Sequence, residues 1–79
     1  MKIKLHGIKN IYIKGEFIKL DALLKFQSIA STGGEAKYLI QSEEIFVNGE
    51  PCTIRGKKIK LGDIVRYDDK VLHIKRKNI

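Results

Sequence analysis

This sequence has one cysteine, one proline and no tryptophan. What it lacks excludes several classes of protein. The chain has 79 residues and one cysteine, so no disulfide can form within it, whereas small secreted scaffolds usually carry several. No apolar run approaches the roughly 18–20 residues of a membrane span. The first residues lack the apolar segment of a secretory signal. We therefore expect one small cytoplasmic domain over residues 1–79, with no membrane partner.

The residue patterns of common catalytic and cofactor sites are also missing. There is no P-loop, no His-Glu-x-x-His and no nucleophile elbow, and one cysteine with two separated histidines does not make a structural zinc site. The Glu43-Glu44 and Asp68-Asp69 pairs are better interpreted as a solvated helix end and a hairpin turn. Cys52 is better interpreted as a small packed side chain than as a reactive thiol. We expect no enzyme activity, no cofactor and no small-molecule substrate.

Positive charge is what the chain has in excess. Lysine and arginine number 16 against 9 acidic residues, which gives a net charge of +7. Such a balance favours a polyanionic partner, nucleic acid above all. The segment 20–54 is acidic by count, so a basic surface must be assembled from parts of the chain that are distant in sequence.

The first half of the sequence predicts one or two strands and then two helices. Apolar and polar residues alternate over 10–14, and more weakly over 2–6, as in half-buried strands. Leucines at helical spacing predict a first helix over about 19–28. The Thr32-x-x-Glu35 capping box starts a second helix that should end near Glu43. Its apolar stripe is Ala36, Leu39 and Ile40, and it turns Lys37 and Gln41 outward together.

The second half predicts short strands joined by turns. Residues 45–47 form a strand, and Asn48-Gly49 is the strongest turn signal in the chain. Pro51 cannot donate to a strand ladder, so the returning strand at about 52–54 should be an edge strand. Further strands are expected at 64–67 and 71–75, after turns at 61–63 and 68–70. The predicted class is α+β, with two packed helices against a small, mostly antiparallel sheet.

Residues 31–41 and a basic loop are the best candidates for a binding surface. A helix that begins with Gly33 and Gly34 exposes unpaired amides, and such a helix end attracts phosphate. Lys37 and Gln41 project further along the same helix. The loop Arg55-Gly56-Lys57-Lys58 adds three positive charges. Together these elements could form one phosphate-binding surface.

The order and spacing of several segments resemble a known RNA-binding family. It is the domain first described in ribosomal small-subunit protein S-four, also called the αL motif, and the likeness runs over about 19–67. The segments that carry it are Lys19-Leu20-Asp21, Ser31-Thr32-Gly33-Gly34-Glu35-Ala36-Lys37, Leu39-Ile40, Ile45-Phe46-Val47-Asn48-Gly49 and Lys60-Leu61-Gly62-Asp63-Ile64-Val65. The whole chain resembles the small stand-alone bacterial members, the YaaA-like proteins, some of which are ribosome maturation factors.

The resemblance implies a fold, a ligand and a set of contact residues. The family fold is two packed helices followed by a small sheet, and the implied ligand is structured RNA, with ribosomal RNA and ribosomal particles as the expected partners. Many members have an arginine where this chain has Gly33, and a glycine where it has Glu43. The residues that the resemblance implies as RNA contacts are Lys19, Ser31, Thr32, Glu35, Lys37 and Gln41, of which Glu35 is better interpreted as a capping residue. With the helix-start glycines and the basic loop described above, the expected RNA-binding residues are Lys19, Ser31, Thr32, Gly33, Gly34, Lys37, Gln41, Arg55, Lys57 and Lys58.

We therefore predict a non-enzymatic protein that recognises RNA by backbone electrostatics and shape, because few aromatics are available for base stacking. Tyr38 is expected to pack against the sheet rather than stack on a base, and Phe17 to lie in the core or at its rim. Two alternatives remain: a protein-interaction module with a docking patch of Tyr38 and Phe46, or an accessory subunit of an enzyme.

Overall fold

The fold is described by a computed structural model over residues 7–77. It combines two helices with a mostly antiparallel open sheet, so the predicted α+β class is confirmed. The strand predicted at residues 2–6 lies outside the described residues. In chain order the elements are β1 (Gly7–Ile13), β2 (Phe17–Lys19), α1 (Leu20–Phe26), α2 (Gly33–Gln41), β3 (Ile45–Val47), β4 (Glu50–Pro51), β5 (Lys58–Lys60), β6 (Ile64–Tyr67) and β7 (Lys70–Arg76).

The main sheet is larger than predicted and it is mixed. Its five strands lie in the order β1-β7-β6-β3-β4, and β1 runs parallel to β7, with Gly7 opposite Lys70 and Ile13 opposite Arg76. The other pairs in this sheet are antiparallel. Alternation along one strand indicates which side chains face the core, but it does not indicate the partner or the direction of pairing. The sequence pattern therefore could not predict the parallel pairing of β1 with β7.

A second, two-stranded sheet pairs β2 with β5, and neither strand is predicted by the sequence pattern. Phe17 lies opposite Lys60, and Lys19 lies opposite Lys58. Lys58 therefore belongs to a strand and not to the basic loop in which it was placed. Each strand has three residues, which is too short for alternation to be distinguished from chance. We call this pair the basic ribbon, residues 17–19 and 58–60.

The turn predicted at Asn48-Gly49 is confirmed, but the strand that follows it was misplaced. Asn48 has φ 51° and Gly49 has φ 89°, the pair of positive angles that a type I′ hairpin turn requires. The returning strand is Glu50–Pro51 instead of 52–54. Pro51 is tolerated because β4 forms the edge of the sheet, where no further strand needs its missing N–H. The N–H of Cys52 then donates to the carbonyl of Ile45 at 2.9 Å.

One face of the main sheet packs against both helices to form the core. The buried helical residues are those that the spacing predicts: Leu20, Leu23 and Leu24 in α1, and Ala36, Leu39 and Ile40 in α2. Helix α1 is shorter than predicted, because Lys19 is its N-cap and Gln27 its C-cap. In the described part of the chain no helix covers the other face of the main sheet. That face carries Phe46, Arg66 and Lys75, each of which directly follows a buried residue.

The capping interactions of α2 follow the predicted box with one difference. The hydroxyl oxygen of Thr32 accepts a hydrogen bond from the N–H of Glu35 at 3.1 Å. The Glu35 carboxylate reaches back to the N–H of Ser31, one residue before the cap. At the other end, Glu43 has φ 65°, a left-handed conformation that favours glycine. A glycine at this position, which the family resemblance implies, would suit this backbone geometry.

Thr32→Ala is expected to lower the free energy of unfolding by about 1 kcal/mol, because the N–H of Glu35 loses its acceptor. The measurement is chemical denaturation followed by circular dichroism. Ser31→Ala is the matched control, since α2 takes its cap bond from the hydroxyl of Thr32. Equal stability of Thr32→Ala and the parent would contradict this assignment of the cap.

Candidate nucleic-acid interface

The start of α2 presents backbone donors at the surface. Gly33 and Gly34 occupy the first two helical positions, where an amide has no acceptor within its own helix. Ser31 and Thr32 precede them and are exposed. The partial positive charge of the helix dipole is concentrated at this end, so donors and field both favour an anion. Neither glycine has a side chain that could cover these amides.

Arg55 joins the starts of the two helices. Its Nε lies 3.4 Å from Oδ2 of Asp21, in the first turn of α1. Its Nη2 lies 3.8 Å from the position that a Cβ on Gly33 would occupy. The arginine side chain remains 45% exposed. Asp21 therefore holds the guanidinium at Nε and leaves Nη2 beside Gly33, the first residue of α2. We call the set Ser31, Thr32, Gly33, Gly34 and Arg55 the α2-start site.

The loop that carries Arg55 is fixed by hydrogen bonds to α1. The N–H of Leu20 donates to the carbonyl of Lys57 at 2.9 Å, and the N–H of Asp21 donates to the carbonyl of Arg55 at 3.1 Å. These bonds satisfy the first two backbone N–H groups of α1. Among the residues that the structure describes, the N–H groups of Gly33 and Gly34 at the start of α2 are not used in this way. The two bonds to α1 hold the basic loop beside the start of that helix, and from there the Arg55 side chain reaches Gly33 at the start of α2.

The outer face of α2 extends the α2-start site. Lys37 and Gln41 are exposed and lie one turn apart, as predicted. Tyr38 is 68% exposed, so the expectation that it packs against the sheet was wrong. The buried stripe of α2 already consists of Ala36, Leu39 and Ile40, and position 38 points away from it.

The docking patch of Tyr38 and Phe46 is not formed. Phe46 lies on β3 between two buried neighbours, Ile45 and Val47, so alternation directs its side chain to the sheet face away from the helices. The guanidinium of Arg66 covers its ring at 4.4 Å. Tyr38 projects from α2, on the other side of the sheet. The structural basis suggested for a protein-interaction module is therefore absent.

The remaining predicted residues lie on or beside the basic ribbon. Lys19 and Lys58 are directly opposite each other, and both are exposed. Lys57 precedes β5 and is also exposed. The predicted site is thus divided into two neighbouring groups, which meet at the first residues of α1. Lys60 and Phe17 belong to the second group and were missed, although Lys58-Ile59-Lys60 does alternate polar and apolar residues.

The lysine and arginine side chains of this region form few ion pairs with acidic residues of the same chain. Within residues 7–77 the structure has one ion pair, between Arg55 and Asp21. The same stretch of chain has no cluster of three or more acidic, histidine or cysteine residues that could hold a metal ion. Neither of the helices described above is long and apolar enough to cross a membrane. The arrangement is therefore that of a cationic surface with backbone donors, suited to a polyanion.

Comparison with known proteins gives the chain its family. A family model described as the S4 domain matches residues 11–75. A protein of Bacillus subtilis (strain 168), described as probable ribosome maturation protein RlbA, is 38% identical over 58 residues, which cover 73% of this chain and 82% of that protein. The match extends beyond the segment that carried the resemblance and includes the last three residues of β1 and most of β7. The chain therefore belongs to the S4 domain family.

Proposed function

We propose that this protein is a non-catalytic cytoplasmic RNA-binding protein that acts in ribosome maturation. Its ligand is structured RNA, and ribosomal RNA is the proposed target. Binding depends on contacts to the RNA backbone and on the shape of the RNA rather than on its sequence. No cofactor takes part.

The observation that carries this proposal is the position of Arg55 at the α2 start. The family resemblance implies an arginine at position 33, where this chain has glycine. The Arg55 guanidinium instead reaches the space beside Gly33 from a different part of the chain. A cation and free helix amides are thereby combined at one point, which is an arrangement suited to phosphate.

The choice of target is supported by a relative. The similar Bacillus subtilis protein is named as a probable ribosome maturation protein. Lys37 and Gln41 continue the site along the side of α2, so the surface can follow several phosphates of a folded RNA. Phosphate contacts of this kind position a ligand without reading its bases.

The proposal predicts strong dependence of affinity on salt. If about 4–5 phosphates are neutralised, the logarithm of the association constant should fall against the logarithm of salt concentration with a slope of about −3 to −4. The measurement is fluorescence anisotropy with a ribosomal RNA hairpin between about 50 and 200 mM KCl. A flat salt dependence, or no binding at the low-salt limit, would contradict RNA binding by this surface.

A pull-down in cells separates this proposal from a protein-binding role. After nuclease treatment, co-purifying ribosomal components should be lost if RNA holds the complex together. A partner that survives complete RNA removal would instead favour a protein-interaction module.

A further inference from the structure

The outward face of the basic ribbon is composed of three lysines and one aromatic ring. Ile18 and Ile59 lie opposite each other at the centre of the ribbon and turn toward the core, where Ile59 is fully buried. Because side chains alternate along a strand, the flanking residues share the other face. These residues are Phe17, Lys19, Lys58 and Lys60, and all four are exposed.

The positive charges of the lysines on this face are not balanced by acidic side chains on the same face. Lys19 and Lys58 are cross-strand partners, and like charges placed directly opposite each other destabilise a sheet. None of the four residues is acidic. Asp63 is near, but its carboxylate accepts from the backbone N–H of Lys60 at 2.8 Å and from the side chain of Asn48 at 3.1 Å. The lysine ammonium groups are left for a ligand.

Phe17 supplies an aromatic surface within this cationic face. It is 43% exposed although it is a large apolar residue. The Lys58 ammonium lies 5.0 Å from the centre of its ring, within the range of a cation–π interaction. Lysine has a flexible side chain, so the ammonium can move from the ring to a phosphate. An aromatic ring among lysines is the combination that proteins use to hold unpaired nucleotides.

A cleft adjoins the same lysines. It has a volume of about 600 Å³ and lies between β5 and the β3–β4 hairpin. Its walls include three lysines, two acidic residues and two further polar side chains: Lys57, Lys58, Lys60, Glu50, Asp63, Asn48 and Thr53. The lysines outnumber the acids, so the cleft keeps a net positive charge. Its size falls within the usual range of small-ligand sites. The lysines of β5 thus stand between the ring of Phe17 and an open space that can accept the sugar and phosphate of a nucleotide.

From this arrangement we propose that the basic ribbon binds an unpaired nucleotide of the RNA. Its base stacks on Phe17, and its backbone lies against Lys58 and Lys60. This inference rests on the proposed RNA-binding function and names the class of RNA. The ribbon is continuous with the α2-start site, because Lys19 ends β2 and caps α1, while Asp21 in α1 holds Arg55. The preferred ligand is therefore a junction, in which unpaired nucleotides leave a structured RNA.

The test compares two RNAs that differ only in unpaired nucleotides. One is a blunt hairpin, and the other is the same hairpin with a 3′ tail of five uridines. At one fixed KCl concentration, fluorescence anisotropy should show tighter binding of the tailed RNA by the parent protein. Phe17→Leu keeps an apolar side chain but cannot stack, and it should lose about 5- to 150-fold in affinity for the tailed RNA. Its affinity for the blunt hairpin should not change.

Two variants make the result specific. Phe26→Leu is the matched control, because Phe26 is 64% exposed at the end of α1, away from the ribbon, and it should bind both RNAs like the parent. Phe17→Tyr retains a ring and should keep the preference for the tail. The salt slope of Phe17→Leu should equal that of the parent, since no charge is removed.

The outcomes separate this inference from the proposed function. If the parent binds neither RNA, RNA binding itself is wrong. If it binds the blunt hairpin and Phe17→Leu leaves the tail preference unchanged, or lowers both affinities equally, the ribbon site is wrong and the α2-start site stands. Should Phe17→Leu fail to fold, the double variant Lys58→Gln, Lys60→Gln replaces it. For the double variant, the slope of log affinity against log salt concentration should be smaller in magnitude by about 1.4, and with the tailed RNA only.

Discussion

The double variant Lys37→Ala, Arg55→Ala is expected to bind a structured ribosomal RNA fragment at least ~100-fold more weakly than the parent. Hydrogen bonds that involve a charged group contribute roughly 1.5–3 kcal/mol each. Arg55 acts together with the free amides beside Gly33, so its loss removes one part of a combined phosphate site. Each single variant should lose a substantial part of this affinity. Each should also reduce the slope of log affinity against log salt concentration by about 1.

The matched control is Lys75→Ala, Lys77→Ala, which removes the same number of positive charges. Lys75 follows the buried Ile74 on β7 and projects from the sheet face away from the helices. Both control residues are exposed. We expect this variant to bind more tightly than either Lys37→Ala or Arg55→Ala. A larger loss in the control would place the RNA on the terminal strands.

Folding should not confound this comparison. The Arg55–Asp21 pair is monodentate and 45% and 22% exposed, and such exposed pairs contribute little to stability. Lys37 has an exposed side chain on α2. Thermal unfolding of all variants should therefore give the parent melting temperature to within a few degrees.

Ile74→Ala is expected to lower the free energy of unfolding by about 2–5 kcal/mol, which is the usual cost of truncating a buried isoleucine. Ile74 is 1% exposed and lies in β7, between β1 and β6. A small domain has little stability in reserve, so this variant should be largely unfolded at physiological temperature. Chemical denaturation of Ile74→Ala and of Lys75→Ala, its exposed neighbour, checks the prediction.

A double-mutant cycle tests the parallel pairing directly. Ile11 of β1 is the register partner of Ile74 and is 2% exposed. Residues in contact couple by about 0.5–3 kcal/mol, whereas distant residues have additive effects. The milder Ile11→Val and Ile74→Val changes, which cost about 0.5–1.5 kcal/mol each and leave the variants folded, should therefore be non-additive. Strict additivity would contradict the register of β1 on β7.

Local signals in the sequence were reliable where the physical cause was also local. Thr32 and Glu35 cap a helix that begins beside them, and Asn48-Gly49 forms a turn from its own two residues. Helical spacing likewise identified all six residues that the two helices bury. In each case the residues that make the feature are within a few positions of one another, so a short window contains the whole interaction.

Features that depend on distant pairing were not predictable. Lys58 lies opposite Lys19 only because β5 returns to β2, and nothing in either three-residue segment specifies the other. Arg55 reaches Gly33 because two carbonyls of its loop accept hydrogen bonds from α1. The sequence therefore identified most of the candidate residues, but it could not show that they form two groups or that Phe17 and Lys60 belong to the second.

The parallel pairing of β1 with β7 imposes an order on the folding of the growing chain. In the described sheet β1 has β7 as its neighbour. The hydrogen bonds of β1 can therefore form only after residues 70–76 have been synthesised. The helices and the β3–β6 strands can form earlier, because their contacts are closer in sequence. Closing the sheet across nearly the whole chain is entropically slow. Until it happens, Ile11 and Ile13 remain exposed on an unpaired strand, which is a state prone to association.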